Sequence, residues 1–338
     1  MKILVIGNLF HNYDIDIVDA LIELNHDVRY LFNNIYGPFN TLGNYHKKIV
    51  YGILPEKFSL DYFKEKQIRN YNSNILKILK KEKFNLIITI GGKSLTTETL
   101  ERIKIPIVLW FMDDINRYTQ VKQNLHLYDK VFFFEPTNTK LIKQELNINT
   151  EVLHLAFNPK RFYPIKNINK RYKISFIGSN YPNREEILGL ILESGIDVKI
   201  IGDFYKSKNL KIKSNLIKKQ AKTNYINEIY NSSEINLNIH HPQSVEGLNV
   251  RTYEIMGAGG IQLVENQKVC KYLFNENDDI FLYSSYSELI DKINSILNLS
   301  ETRKKEIREN TYLNAIKNHT WRNRLQEMLN FLENNNII

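Results

Sequence analysis

The sequence predicts an α/β protein of two doubly wound domains, and three observations carry that prediction. Short apolar runs bounded by turn residues alternate with longer stretches of helical period from Lys2 onward. The alternation stops in the segment Leu153–Pro164, which holds two prolines and no helical period, and starts again at Tyr172. At 338 residues the chain is long enough for two domains, each burying its own core.

The first domain, placed at 1–155, opens with Lys2–Gly7, a buried strand ending in glycine. Apolar residues at 15, 17, 18, 21, 22 and 24 then give a helix over Asp14–Asn25. The loop between them lacks the G-x-G-x-x-G of a dinucleotide site. It holds His11, readable as a general base or as a solvated loop histidine. Asp27–Phe32 reads as the second strand. Asn33–Pro55 has no period, and a loop of that length is expected to form part of a functional surface. Ser59–Lys83 is a long amphipathic helix, followed by the strand Phe84–Ile90 and the turn Gly91–Gly92. Ile105–Phe111 delivers Asp113 and Asp114 at its C-terminal end, the edge where ligands gather in open α/β sheets. The adjacent pair has the wrong spacing for a D-x-D metal site and no further ligand cluster supports one, so it reads as ligand-holding or as a structural cap before a helix near Tyr118. The strand Lys130–Phe134, the helix Thr137–Asn147 and the strand Thr150–Leu153 complete the domain.

The second domain begins with the strand Tyr172–Gly178, a loop with Pro182 and Arg184, the helix Glu185–Glu193 and the strand Asp197–Gly202. Gly178 leaves the backbone open at a strand end and Arg184 stands at a helix start, an arrangement that suits a diphosphate and equally a routine βα loop with a solvated arginine. The helix Tyr225–Asn231 feeds a strand in which Ile235, Leu237 and Ile239 alternate with polar residues, and Pro242 ends it. Gly247 and Asn249 mark the entry to a helix whose apolar positions run from Leu248 to Met256. Gly257, Gly259 and Gly260 end it before the strand Ile261–Val264. The head of that helix offers unpaired N–H groups and partial positive charge to a phosphate. Glu246 and Glu254 offer acceptors for sugar hydroxyls, and Arg251 a fork for phosphate oxygens. Set against this, Arg251 and Glu254 read as an i,i+3 surface pair worth a few tenths of a kcal/mol. Cys270 is expected in the core, Asp279–Tyr283 is the last strand, and from Ser287 the chain is nearly all helix.

Composition narrows the class further. Lys and Arg number 46 against 37 Asp and Glu, a net charge of +9 that favours an anionic partner such as a nucleotide sugar, a polyanionic glycan, a membrane surface or nucleic acid. The single cysteine excludes an intramolecular disulfide and a cysteine-cluster metal site. No run approaches the roughly 20 apolar residues of a membrane helix, and the opening run is too short for a signal-peptide core. The expected address is the cytoplasm.

The central stretch carries a resemblance. Glu246 and Glu254 with seven residues between them, followed by Gly-Ala-Gly-Gly and an apolar strand, resemble the E-x7-E signature of retaining GT-B glycosyltransferases. The string Glu-Gly-Leu-Asn-Val-Arg-Thr-Tyr-Glu is similar to the E-G-x-N-x-R-x-[FY]-E of the CgeB-type, spore-maturation-like family. The segment Leu153–Pro164 is similar to the crossing between GT-B domains, with Ala156, Phe157 and Asn158 in place of the usual Gly-Val-Asp. The resemblance implies two Rossmann-like domains facing across a cleft: an acceptor-side domain at 1–155, a nucleotide-sugar domain at 156–318, and a terminal helix at 319–338 returning to the first. It implies that Glu254 holds the ribose, Glu246 and the Gly247 backbone the donor sugar, and Arg251 and Arg184 the diphosphate. Gly178, Asn249, Gly259 and Gly260 complete the donor side, and His11, Asp113 and Asp114 the acceptor side. No cofactor or metal is expected; the donor is a nucleotide sugar, with a UDP-sugar first, and the acceptor an unidentified glycan, protein or surface structure. A DNA-modifying glycosyltransferase and a non-catalytic spore or surface assembly protein of the same fold are the alternatives.

Overall fold

Each alternation closes into a parallel sheet of six strands. The computed structural model describes residues 1–8, 13–33, 56–217, 222–242 and 244–338. The chain divides into two units, Met1–His154 with Arg324–Ile338, and Leu155–Asn323.

The first sheet comprises β1 (Lys2–Gly7), β2 (Asp27–Phe32), β3 (Leu86–Ile90), β4 (Ile107–Phe111), β5 (Lys130–Phe133) and β6 (Thr150–Val152), in the order β2-β1-β3-β4-β5-β6. Its strands are parallel, and β3, β4 and β5 are buried at every position, as strands covered on both faces are. The helices are α1 (Tyr13–Glu23), α2 (Glu56–Lys81), α3 (Thr97–Arg102), α4 (Thr119–Gln123) and α5 (Pro136–Leu146). Helix α3 escaped the sequence reading because six residues are too few to show a period; Thr96 caps it by accepting from Thr99 N at 3.3 Å. The strand order reverses between β1 and β3.

The second sheet comprises β7 (Tyr172–Ile177), β8 (Val198–Ile201), β9 (Leu216–Ile217), β10 (Ser233–Asn238), β11 (Gln262–Glu265) and β12 (Phe281–Tyr283), also parallel, in the order β12-β11-β10-β7-β8-β9. Its helices are α6 (Pro182–Glu193), α7 (Leu210–Ser214), α8 (Thr223–Ser232), α9 (Val250–Gly257), α10 (Cys270–Leu273), α11 (Tyr286–Leu297) and α12 (Glu301–Asn318); α13 (Trp321–Asn334) starts in this unit and runs into the first. Helix α6 starts three residues before the sequence suggests, because Pro182 at its first position has no N–H to lose. The core joins Ile174, Phe176, Ile200, Leu237 and Leu263 under α6 and α11. The polar residues of β10, Asn236 and Asn238, are buried as deeply as its apolar ones. Here the order reverses between β10 and β7.

Residues Arg324–Ile338 belong to the first unit. The Phe331 ring packs edge-on to Phe132 at 5.7 Å, and the Lys130 Nζ lies 4.4 Å from its centroid. Lys130 is itself buried; its Nζ donates to Asn149 Oδ1 at 2.9 Å, and burial lowers its pKa against the opposing pull of Glu151. Cys270 is buried at the head of α10. Among the described residues no helix is long and apolar enough to cross a membrane.

One backbone contact fixes the rim of the second sheet. Gly178 N donates to Ile201 O at 2.9 Å, and a Cβ built on Gly202 would stand 1.8 Å from Gly178 O. A main-chain oxygen cannot step aside as a flexible side chain does, so Gly202→Ala should destabilise the second unit by about 1–3 kcal/mol in chemical denaturation. Unchanged stability would show that the ends of β7 and β8 separate freely.

Candidate functional site

The C-terminal ends of β7 and β10 flank the reversal in strand order, the place where open α/β sheets bind ligands. Two helices, α6 and α9, follow directly from these strand ends. Helix α9 is seated by a network of neutral amides. Asn249 caps it, Oδ1 accepting from Thr252 N at 3.1 Å. Asn249 Nδ2 donates to Asn238 Oδ1 at 2.8 Å, and Asn238 Nδ2 lies 2.9 Å from Gln262 Oε1 and 3.0 Å from Thr252 Oγ1. Gln262 Nε2 donates in turn to Thr252 O at 3.3 Å. Losing any one partner would strand a buried amide, at a cost of about 1–3 kcal/mol.

Two arginines tie down the strand ends. Arg251 Nε donates to Ile177 O, the last carbonyl of β7, at 2.5 Å. Arg184 gives Nε and Nη2 to Ile239 O at 3.0 and 2.9 Å and Nη1 to Ser179 O at 3.1 Å. Burial lowers the Arg184 pKa to about 10, with the neighbouring Arg251 charge adding to the effect. This corrects the solvated reading of Arg184: its guanidinium is buried and gives three N–H bonds to main-chain carbonyls. The surface-pair reading of Arg251 and Glu254 falls as well, since Glu254 is only 8% exposed and α9 buries seven of its eight residues.

The remaining donor-side candidates divide by position. Glu246 and Gly247 lie in the loop between β10 and α9; Gly247 is buried, and Glu246 Oε1 is 3.3 Å from Lys268 Nζ. Gly178 follows β7, and a Cβ there would come within 2.8 Å of the Phe176 ring. Asn249 is at the site, with its side chain engaged as cap and network member. Gly259 and Gly260 are not at this edge. They precede β11 at the opposite rim of the sheet, where Gly259 turns the chain at φ +64° and a Cβ on Gly260 would stand 2.6 Å from Asn236 Nδ2. Their glycine character serves the exit from α9 and packing.

Sequence reasoning missed His240, although a His-His-Pro at a strand end was a visible signal. The ring is 1% exposed, neither nitrogen has a hydrogen-bond partner, and burial, aided by the Arg184 charge, lowers its pKa to about 3. Its carbonyl accepts from Asn183 Nδ2 at 3.2 Å. Close by, burial raises the Glu265 pKa, and Tyr283 OH is also without a partner. On the open side, the Tyr181 and His241 rings meet edge to face at 4.2 Å across the strand reversal.

In the first unit, Asp113 and Asp114 are drawn into the fold at the end of β4. Asp113 receives Lys93 Nζ at 3.0 Å, Tyr118 OH at 2.8 Å and Asp114 N at 2.8 Å, and Arg117 Nη1 at 3.4 Å. Burial acts to raise its pKa, but the Lys93 charge and these bonds outweigh it and hold the carboxyl below its ordinary value. Asp114 caps the turn Ile115–Arg117, accepting from Asn116 N at 3.0 Å. His11 and most of the Asn33–Pro55 stretch lie outside the described residues. Among the described residues no group of three or more His, Cys, Asp or Glu is placed to hold a metal.

Comparison with known proteins accords with this architecture. Residues 172–330 match the family model described as glycosyl transferase-like. No curated protein matches the chain in sequence. Among solved structures, a sucrose-phosphate synthase from Thermosynechococcus elongatus is similar at 12% identity and TM-score 0.69, over 99% of this chain and 98% of that one. A trehalose-6-phosphate structure from E. coli bound with UDP-2-fluoro glucose gives 12% identity and TM-score 0.65, over 97% and 98%. A glycosyltransferase from Rickettsia africae gives 16% identity and TM-score 0.64, over 98% of each chain. The fold is therefore GT-B.

His240, buried, and His154, half-buried, make stability depend on acidity. The folded-state pKa of His240 lies below the ordinary 6.5, so the unfolded chain binds the proton first, and stability falls as pH drops from about 6.5 toward about 3. His154, lowered to about 4 by burial and the Arg324 charge, acts in the same direction in the first unit. Each ring contributes up to about 1.4 kcal/mol per pH unit. In denaturation series between pH 7 and pH 4, His240→Gln should flatten the slope of the second unit; a slope equal to the parent's would contradict a buried neutral ring.

Proposed function

We propose that the chain is a nucleotide-sugar glycosyltransferase that binds its donor at the ends of β7 and β10 and passes the sugar to an acceptor held by the first unit. The observation that carries this is the head of α9, fixed by its amide network, with Arg251 beside it on the last carbonyl of β7. The similar E. coli structure bound with UDP-2-fluoro glucose favours a UDP-sugar donor. The E-x7-E spacing favours retention of anomeric configuration, and the string at 246–254 a CgeB-type enzyme acting in the cytoplasm.

Transfer requires the bond between the anomeric carbon and the diphosphate oxygen to lengthen, leaving negative charge on the diphosphate. The N–H groups at the head of α9 and the Arg251 guanidinium are held in place before the reaction begins, so they stabilise that charge without reorganising. Glu254 accepts from the ribose hydroxyls, and Glu246 with the Gly247 backbone orients the donor sugar. Arg184 acts as a positioning residue through the carbonyls it clasps.

Calorimetry with UDP, GDP and dTDP, with and without a chelator, tests the binding half of this reading; no heat with any of them would count against it. Glu254→Gln should weaken the preferred nucleotide by about 1.5–3 kcal/mol. Arg251→Lys and Arg251→Ala both lose the bond to Ile177 O, so they should melt alike. Their turnovers should differ, the alanine losing about 2.7–4 kcal/mol of transition-state stabilisation and the lysine less. Equal turnover in the two would assign Arg251 to the fold alone.

A further inference from the structure

We propose that the groove between α2 and α3 in the first unit docks an acidic glycan chain, so that the acceptor is an anionic polysaccharide; this rests on the glycosyl-transfer reading above. The groove has a volume of about 580 Å³ and is lined by Arg69, Asn72, Lys77, Lys80 and Arg102 and by one carboxylate, Glu98, among others. Its charge is local rather than general. Residues 64–83 hold seven Lys and Arg against two Asp and Glu (net +5), whereas the rest of the first unit holds 14 against 17 (net −3). Lys77, Lys80 and Arg102 are exposed and form no ion pair among the described residues, so their charge is available to a partner.

The walls are fixed. Asn72 Nδ2 donates to Ser94 O at 2.8 Å and its Oδ1 accepts from Thr96 N at 3.1 Å, which locks the middle of α2 to the loop that starts α3. A concave groove with four cations against one carboxylate, floored in part by aliphatic stems, fits a chain that presents hydroxyls, sugar faces and spaced anions along its length. A bilayer surface fits it poorly: none of the large exposed hydrophobic residues lies on the described part of α2 or on α3, so nothing there enters an acyl layer.

The test uses the full chain and a K77E/K80E/R102E variant, with K77Q/K80Q/R102Q as the milder control. Binding of polygalacturonate and of a phosphomannan is measured beside neutral dextran, short duplex DNA and phosphatidylglycerol vesicles. The parent should bind at least one acidic glycan, more weakly as salt rises, and the reversed variant about tenfold or more weakly, with the neutralised one between. Whichever acidic glycan binds tells carboxylate from phosphate as the anion. UDP affinity and melting should match the parent in both variants. The proposal falls if the variants bind the glycans as the parent does, if dextran binds equally well, or if DNA or vesicles bind the parent more tightly than either glycan and lose that binding in the variants. A parent that binds acidic glycan through these residues and no nucleotide would overturn the donor reading and leave the groove assignment standing.

Discussion

Everything at the head of α9 depends on a handful of amide hydrogen bonds that carry no net charge. A helix is useful to a phosphate only if its first turn stands at a fixed point, and here that point is set by Asn238 and Gln262 on neighbouring strands meeting Asn249 and Thr252 on the helix. An apolar seat would bury the same area with less directional control. The amides specify rotation and depth together, because every donor has one geometry in which all are satisfied.

The two arginines meet a different need. A parallel strand that ends at a loop leaves carbonyls without a ladder partner, and a buried carbonyl left unpaired is costly. Arg184 and Arg251 supply donors to Ile239, Ser179 and Ile177, closing the exposed ends of β10 and β7 with side chains instead of another strand. Positive charge at this rim is thus partly a structural necessity, and the same charge is what draws an anionic ligand to it.

Much of this was legible in the sequence. All six strands of the first sheet were found: β3, β4 and β5 are short apolar runs of the kind that parallel packing buries whole, and the more exposed β2 and β6 showed through their place in the alternation. In the second sheet β9 was missed, two residues being no pattern at all. Helix α9 and its Asn249 cap were readable because a cap has a residue preference and an apolar period follows it. The buried roles of Asn236, Asn238 and Gln262 were not, since an amide reads the same in a letter string whether it faces water or another amide. The burial of Arg184 was hidden in the same way, and so was the rim occupied by Gly259 and Gly260, because sequence proximity to a motif says nothing about which rim of the sheet a turn occupies.

The return of Arg324–Ile338 to the first unit has a consequence for how the chain comes into being. Phe331 packs against Phe132 and beneath the Lys130 ammonium on β5, yet it is made after all of the second unit. On the ribosome, then, the first unit waits with that patch of its sheet bare while the second is translated and folds. Residues translated after the second unit close the first, so a chain cut before Arg324 leaves the earlier unit incomplete and not merely the later one.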